Sequence, residues 1–380
     1  MRTIQRIEVF PLRLPITGTF RFASGSAGAA GETAPLVLVR LTDSEGVTGW
    51  GEGRPMPQWS YETIETVTTT IRRYLGPIIQ GMSITDRWGL HQRMQSAIGR
   101  GPSMGQPIAR AIVDMALHDL CARVAGQPLR CYLGGSLERN SVALSYTLTT
   151  HDVEGVRREV EEAKTRGFRN FNFKVGVVPE SDIAIAEAVR QTAGQGAFVW
   201  ADANQGLRVQ DAQAVVRGLA HVGVNVLEQP FAADQPHLLK RLRMIAPLPL
   251  AVDEASVGPA DFFHYASEGL VDYLVIKVTR SGGIWPSLQQ MAVAASAGLP
   301  LLVSGLTDGL LTRSAVCQLA TVYGFDGPAA LNGGQFLDET RLYPQKDELE
   351  SGGVLRLNER AGIGIEPDPE GLERYLVKDL

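Results

Sequence analysis

The chain has 380 residues and a mass of 41.1 kDa, enough for one large domain with a smaller one appended. A formal net charge of −5 and a pI near 5.8, without basic runs, exclude the electrostatic footprint of a nucleic-acid binder. Three cysteines (Cys121, Cys131, Cys317) without CxxC spacing exclude a disulfide frame or a cysteine zinc site and point to a reducing, cytoplasmic compartment.

The first residues, MRTIQRIEVFPLRL, alternate apolar with polar or charged and read as a strand rather than a signal peptide. Residues 35–50 alternate in the same way, and Asp43-Ser44-Glu45-Gly46 supplies a hairpin turn, so a small antiparallel sheet is expected. Between them, residues 17–33 are rich in Gly, Ala, Ser and Thr and read as a mobile loop, either a lid or an ordinary surface excursion. From about 60 to 135 the apolar spacing turns helical, with Gly126 as a stop signal. No window reaches the apolar length of a membrane span.

From residue 141 strand and helix alternate. SVALSYTL (141–148) reads as a first strand. FNFK, FVWAD, VNVLE, LPLAVD and YLVIK then end in Lys174, Asp202, Glu228, Asp253 and Lys277, at intervals of 28, 26, 25 and 24 residues. Each interval fits one strand, one helix and two loops. Tyr146, Ser304 and Asn332 continue the rhythm, with strands seven and eight at 299–305 and 329–332. One polar residue per repeat at a strand's C-terminal end is the layout of a (β/α) barrel active site. The predicted domains are an α+β capping domain over 1–135, a barrel over 136–332, and a segment 333–380 that returns to the cap.

Taken singly, each acid reads as a helix cap or surface charge. Three on successive repeats, each after an apolar run, are expected to converge on one point, and all-oxygen ligation suits Mg²⁺ or Mn²⁺. No histidine or cysteine occupies a neighbouring strand end. Lys174 and Lys277 bracket the acids. A lysine free in water titrates near ~10.4, and burial beside a cation and a second lysine is expected to bring it towards roughly 7–8. A divalent cation between two amine bases suits removal of a proton α to a carboxylate, so the expected partner is a small-molecule carboxylate.

The chain resembles the muconate lactonizing enzyme subgroup of the enolase superfamily over nearly its whole length. The matching pieces are GWGEG (49–53), ARAIVDMALHDLCARVAGQPL, LGG (133–135), GFRNFNFKVG (167–176), ADANQG (201–206), LEQP (227–230), AVDE (251–254) and IKVTRSGG (276–283). The resemblance implies a (β/α)₇β TIM-like barrel capped by an α+β domain built from the N-terminal region and the C-terminal tail. It implies Asp202, Glu228 and Asp253 as metal ligands, Lys174 and Lys277 as acid/base catalysts on opposite faces of the substrate, and Asn204 and Glu254 in support. A homo-oligomer is expected.

The chain departs from the family at Asn172, where a second lysine is usual. Ser304 ends strand seven in place of a His–Asp dyad residue, and AALNGGQF lacks the Asp-x-Asp that holds a dipeptide ammonium. The leading reading is a racemase or epimerase of an N-substituted or N-alkylated amino acid, working through two lysines. The alternative is lyase-type use of the same enediolate, as in muconate cycloisomerisation or the syn dehydration of o-succinylbenzoate synthase. A catalytically silent barrel is a third reading, opposed by the complete set of acids and lysines. Ser304, Asn332 and Tyr146 are candidate substrate contacts. So are Trp59, Phe336, Phe20 and Phe22, either as pocket aromatics offering their faces to an N-methylated nitrogen or as packing at the domain interface.

Overall fold

The computed structural model describes residues 1–22, 25–100, 105–325 and 327–380, with backbone only for residues 21, 22 and 25–27. Strand β1 (Ile4–Pro15) pairs antiparallel with β4 (Thr33–Asp43), which pairs with β5 (Thr48–Gly53). Segment 17–33 differs from the expected irregular loop: β2 (Phe20–Phe22) and β3 (Gly25–Gly28) form a hairpin within it. Its composition hides this, because small residues give short strands no apolar alternation to read.

Helix Pro107–Val124 is buried along nearly its whole length and lies across β5. The glycines of GWGEG make this possible. A Cβ on Gly49 or Gly51 would overlap the backbone at Ala116 or Ile112.

The second sheet is parallel and follows chain order. It runs β7 (Ser145–Thr147), β8 (Asn170–Lys174), β9 (Val199–Asp202), β10 (Val226–Glu228), β11 (Leu250–Val252), β12 (Tyr273–Ile276) and β13 (Leu301–Val303). Parallel bridges Leu144–Ala329 and Ser304–Ala330 join its two ends, so the eighth expected strand is only a pair of contacts. SVALSYTL also divides. Its first part, β6 (Ser141–Ala143), pairs with β15 (Val354–Arg356), which pairs with β14 (Glu350–Ser351), and only 145–147 belong to the barrel sheet.

Period-two alternation sets the barrel interior. Trp200, Val226, Ala251, Val275, Leu302 and Ala330 form one buried apolar cluster. Two residues further along each strand path stand Asp202, Glu228, Asp253, Lys277, Ser304 and Asn332. The apolar cluster is thus a floor beneath a polar ring. The tail reaches the first sheet through a Leu12–Leu376 bridge and the bond from Val377 N to the Pro11 carbonyl, 2.9 Å. Among the described residues, no helix is long and apolar enough to cross a membrane.

Candidate active site

Asp202 and Glu228 lie at the C-terminal ends of β9 and β10, and Asp253 and Lys277 follow β11 and β12 directly. All four are buried, as is Lys174 at the end of β8 apart from a small exposed fraction of its side chain. Lys174 Nζ donates to Asp202 Oδ2 at 2.7 Å, and Lys277 Nζ to Asp253 Oδ2 at 2.5 Å. Asn204 holds Asp202 through its backbone N at 2.9 Å and its Nδ2 at 3.0 Å, and the same Nδ2 reaches Glu254 at 3.3 Å. Asn204 does this from a left-handed backbone, φ 41°.

Lys174, Lys277, Asp202 and Glu228 line one pocket with Phe20, Trp59, Asn172, Ser304 and Asn332. Its volume is about 30 Å³, room for little more than a water or two. The cap side chains Phe20, Met56 and Trp59 form part of its wall.

Burial works against a charged Lys174, but Asp202, Glu228 and Glu254 outweigh it and hold the ammonium above the ordinary lysine value. Nearby carboxylates, more than a second lysine, dominate its surroundings here. Burial, then repulsion from Asp202 and Asp253, pushes Glu228 well above the carboxylate range. Burial and the same two aspartates push Glu254 up to about 7. Asp253 is held low: burial opposes its ionisation, but Arg280 and Lys277 overcome that.

The acids do not converge as expected. Asp202 and Glu228 face the pocket, while Asp253 is drawn to Lys277 and to the Arg280 guanidinium, which also reaches the Asp253 carbonyl at 2.6 Å. A buried charge takes the nearest opposite charges. Among the described residues no three His, Cys, Asp or Glu side chains stand together as a metal-ligand group. The donor chemistry nonetheless fits a hard divalent cation: carboxyls at the ends of three neighbouring strands, repulsion of Glu228 by Asp202 and Asp253, and a buried Glu228 Oε1 without a partner.

Tyr146 does not reach the pocket. It packs edge-on against Phe168, beneath the Arg166 guanidinium, and alternation hands its place to Thr147. Phe336 lies behind Phe20, stacked at 5.0 Å, rather than at the pocket wall. The Phe22 side chain lies outside the described residues. Trp59 lines the pocket, but its face is turned to Lys174 and Lys277, with Nζ atoms 5.5 and 4.7 Å from the ring centre.

Sequence reasoning missed Arg280, although it stands within IKVTRSGG, and Gln229, whose Oε1 accepts from the backbone N of Asp253 at 2.8 Å and of Ala255 at 3.1 Å. It also missed Thr147, which strand parity would have found. Thr307 left no signal: a β-branched residue at φ 59° on the pocket wall.

A family profile described as "Mandelate racemase / muconate lactonizing enzyme, N-terminal domain" matches residues 13–134, and one described as "Enolase C-terminal domain-like" matches residues 155–371. The chain is 28% identical to muconate cycloisomerase 1 of Rhodococcus opacus, over 98% of each chain. It is 26% identical to the N-succinyl-L-Arg/Lys racemase of Bacillus cereus, again over 98% of each. The crystal structure of that racemase superimposes with a TM-score of 0.89 at 25% identity, covering 99% of this chain and 98% of that one. A dipeptide epimerase from Enterococcus faecalis V583, solved in complex with Mg and the dipeptide L-Leu-L-Tyr, superimposes with a TM-score of 0.86 at 27% identity, covering 96% and 99%. With both of its parts matched and its relatives named as racemases, epimerases and cycloisomerases, the chain belongs to the mandelate racemase/muconate lactonizing enzyme family of the enolase superfamily and is an isomerase-type enzyme.

Proposed function

We propose that the enzyme racemises or epimerises an N-substituted amino acid, with Lys174 and Lys277 as the two acid/base groups. The observation that carries this reading is that both lysines are buried, line one pocket and lie within 5.5 Å of the centre of one ring, Trp59. They stand on β8 and just past β12, four strands apart in the sheet, so a small carboxylate between them meets an amine on each side. One lysine, as the neutral amine, takes the α-proton; the other, as the ammonium, returns a proton to the opposite face. Asp202 and Asp253 hold the two Nζ atoms in place.

Asp202, Glu228 and Asp253 would hold a Mg²⁺ ion. When bound, it supplies positive charge that favours the enediolate and offsets the mutual repulsion of the acids. The raised lysine value describes the pairing of Lys174 with Asp202, and a cation drawing on the same carboxylate would weaken that pairing.

The test is incubation of a single enantiomer of an N-acyl amino acid with enzyme and Mg²⁺ in D₂O. Deuterium at Cα together with inversion supports the reading, and recovery of unlabelled starting enantiomer counts against it. A second reading, cycloisomerisation, draws on the full-length similarity to muconate cycloisomerase 1. Under that reading, a muconate-type diacid is consumed without any inversion of amino-acid derivatives.

A further inference from the structure

The pocket has two unlike halves. Lys174, Asp202, Glu228 and Lys277 form a charged half, and Thr147, Asn172, Ser304 and Asn332 form a neutral polar one. The charged half accounts for the carboxylate and the α-carbon. On the racemase reading, that leaves the neutral half for the nitrogen and its substituent.

Three residues of that half are joined. Ser145 Oγ donates to Asn172 Oδ1 at 3.0 Å, and Thr147 Oγ1 donates to the same oxygen at 3.2 Å. Asn172 Nδ2 also donates to Thr147 Oγ1 at 3.1 Å, so this hydroxyl both gives to and accepts from the same amide. In this arrangement the Asn332 amide gives its Nδ2 to Thr147 Oγ1, at 3.3 Å. Its Oδ1 is left buried without a hydrogen-bond partner, in a side chain more than nine-tenths buried at the pocket wall.

We propose that Asn332 Oδ1 is a specificity-determining acceptor for an N–H on the substrate nitrogen, and that the Ser145–Asn172–Thr147 chain orients it. The substrate class is then an amino acid whose nitrogen is substituted but still carries hydrogen, a secondary amide of the N-acyl type above all. Fully alkylated nitrogens have no proton to give and leave the buried acceptor unsatisfied, which a site built for a hydrogen bond penalises heavily. Asn172 thereby gains a role of its own, as the anchor of a recognition relay.

This inference rests on the racemase reading, and binding separates the two. Affinities of N-acetyl-L-alanine and N-acetyl-N-methyl-L-alanine would be measured by titration calorimetry on the full-length enzyme with Mg²⁺. Wild type is expected to favour the N–H ligand on the order of 10- to 100-fold. Asn332→Ala should bring the ratio close to one, and Asn332→Asp, which keeps an acceptor, should restore it. Thr147→Val, which removes the anchor without removing the acceptor, should weaken the N–H ligand alone and serves if the alanine variant does not fold. A preference for the N–H ligand without α-proton exchange would overturn racemisation and leave this inference standing. Absence of binding, a wild-type ratio near one, or a ratio unchanged in Asn332→Ala would overturn it.

Discussion

The Lys277 ammonium lies 4.7 Å from the centre of the Trp59 ring, so a residue of the N-terminal region caps a residue that follows barrel strand β12. Trp59 sits in the short helix Pro57–Ser60, and the same ring lies 5.5 Å from Lys174 Nζ. Each ammonium–ring contact is worth about 0.5–2 kcal/mol. Trp59→Ala should therefore lower kcat/KM for α-proton exchange by on the order of 10-fold or more, and Trp59→Phe should retain most of it. Equal losses in both variants would show that the ring face does not matter.

Glu228 provides a check on the metal that does not depend on turnover. Its buried carboxyl stands between Asp202 and Asp253 and is pushed well above its ordinary value. Mg²⁺ should raise the thermal unfolding temperature of the wild type, since a ligand at about 100 times its Kd stabilises by about 2.7 kcal/mol. Glu228→Gln should remove most of that rise while leaving the metal-free protein as stable as, or more stable than, wild type. Chelation followed by Mg²⁺ should abolish and then restore activity in the wild type only.

Glu62 sets a pH dependence away from the site. It accepts from the backbone N of Ile108 at 2.9 Å and of Ala109 at 3.1 Å, at the start of helix Pro107–Val124. Burial pushes it up to about 7 in spite of those bonds. The folded protein thus keeps a proton that the unfolded chain releases near 4.5. Its contribution is fully present below that value and is lost as pH rises to about 7, by at most about 3 kcal/mol. Urea unfolding between pH 5 and 8 should show a fall in wild-type stability that Glu62→Gln reduces.

The barrel was legible because one polar residue per repeat after an apolar run is a long-range regularity that few other folds produce. Lys174, Asp202, Glu228, Asp253 and Lys277 all occupy the predicted strand ends. Tyr146 was misplaced by one residue, since a 28-residue rhythm fixes a strand but not which of its two faces looks inward. Arg280 and Gln229 were hidden for a different reason. Arg280 acts on the Asp253 carboxylate and Gln229 on the backbone N–H groups of Asp253 and Ala255, neighbours in space through the barrel curvature, and spacing along the chain carries no trace of that. The relay through Asn172 is of the same kind, made by strand neighbours β7 and β8 and by Asn332 across the closing bridges.

Two opposed lysines are the core of this account, and stereospecific exchange in single-lysine variants tests them most directly. Each enantiomer of an N-acyl amino acid turned over by the wild type would be incubated in D₂O with Mg²⁺ and either Lys174→Ala or Lys277→Ala, and α-deuteration followed by NMR. Both variants should lose inversion by at least about 10²-fold. Each should still exchange the α-proton of one enantiomer, and the two variants should spare opposite enantiomers. If Lys277→Ala silences both enantiomers while Lys174→Ala exchanges both, a single lysine does the chemistry and the two-base account is wrong.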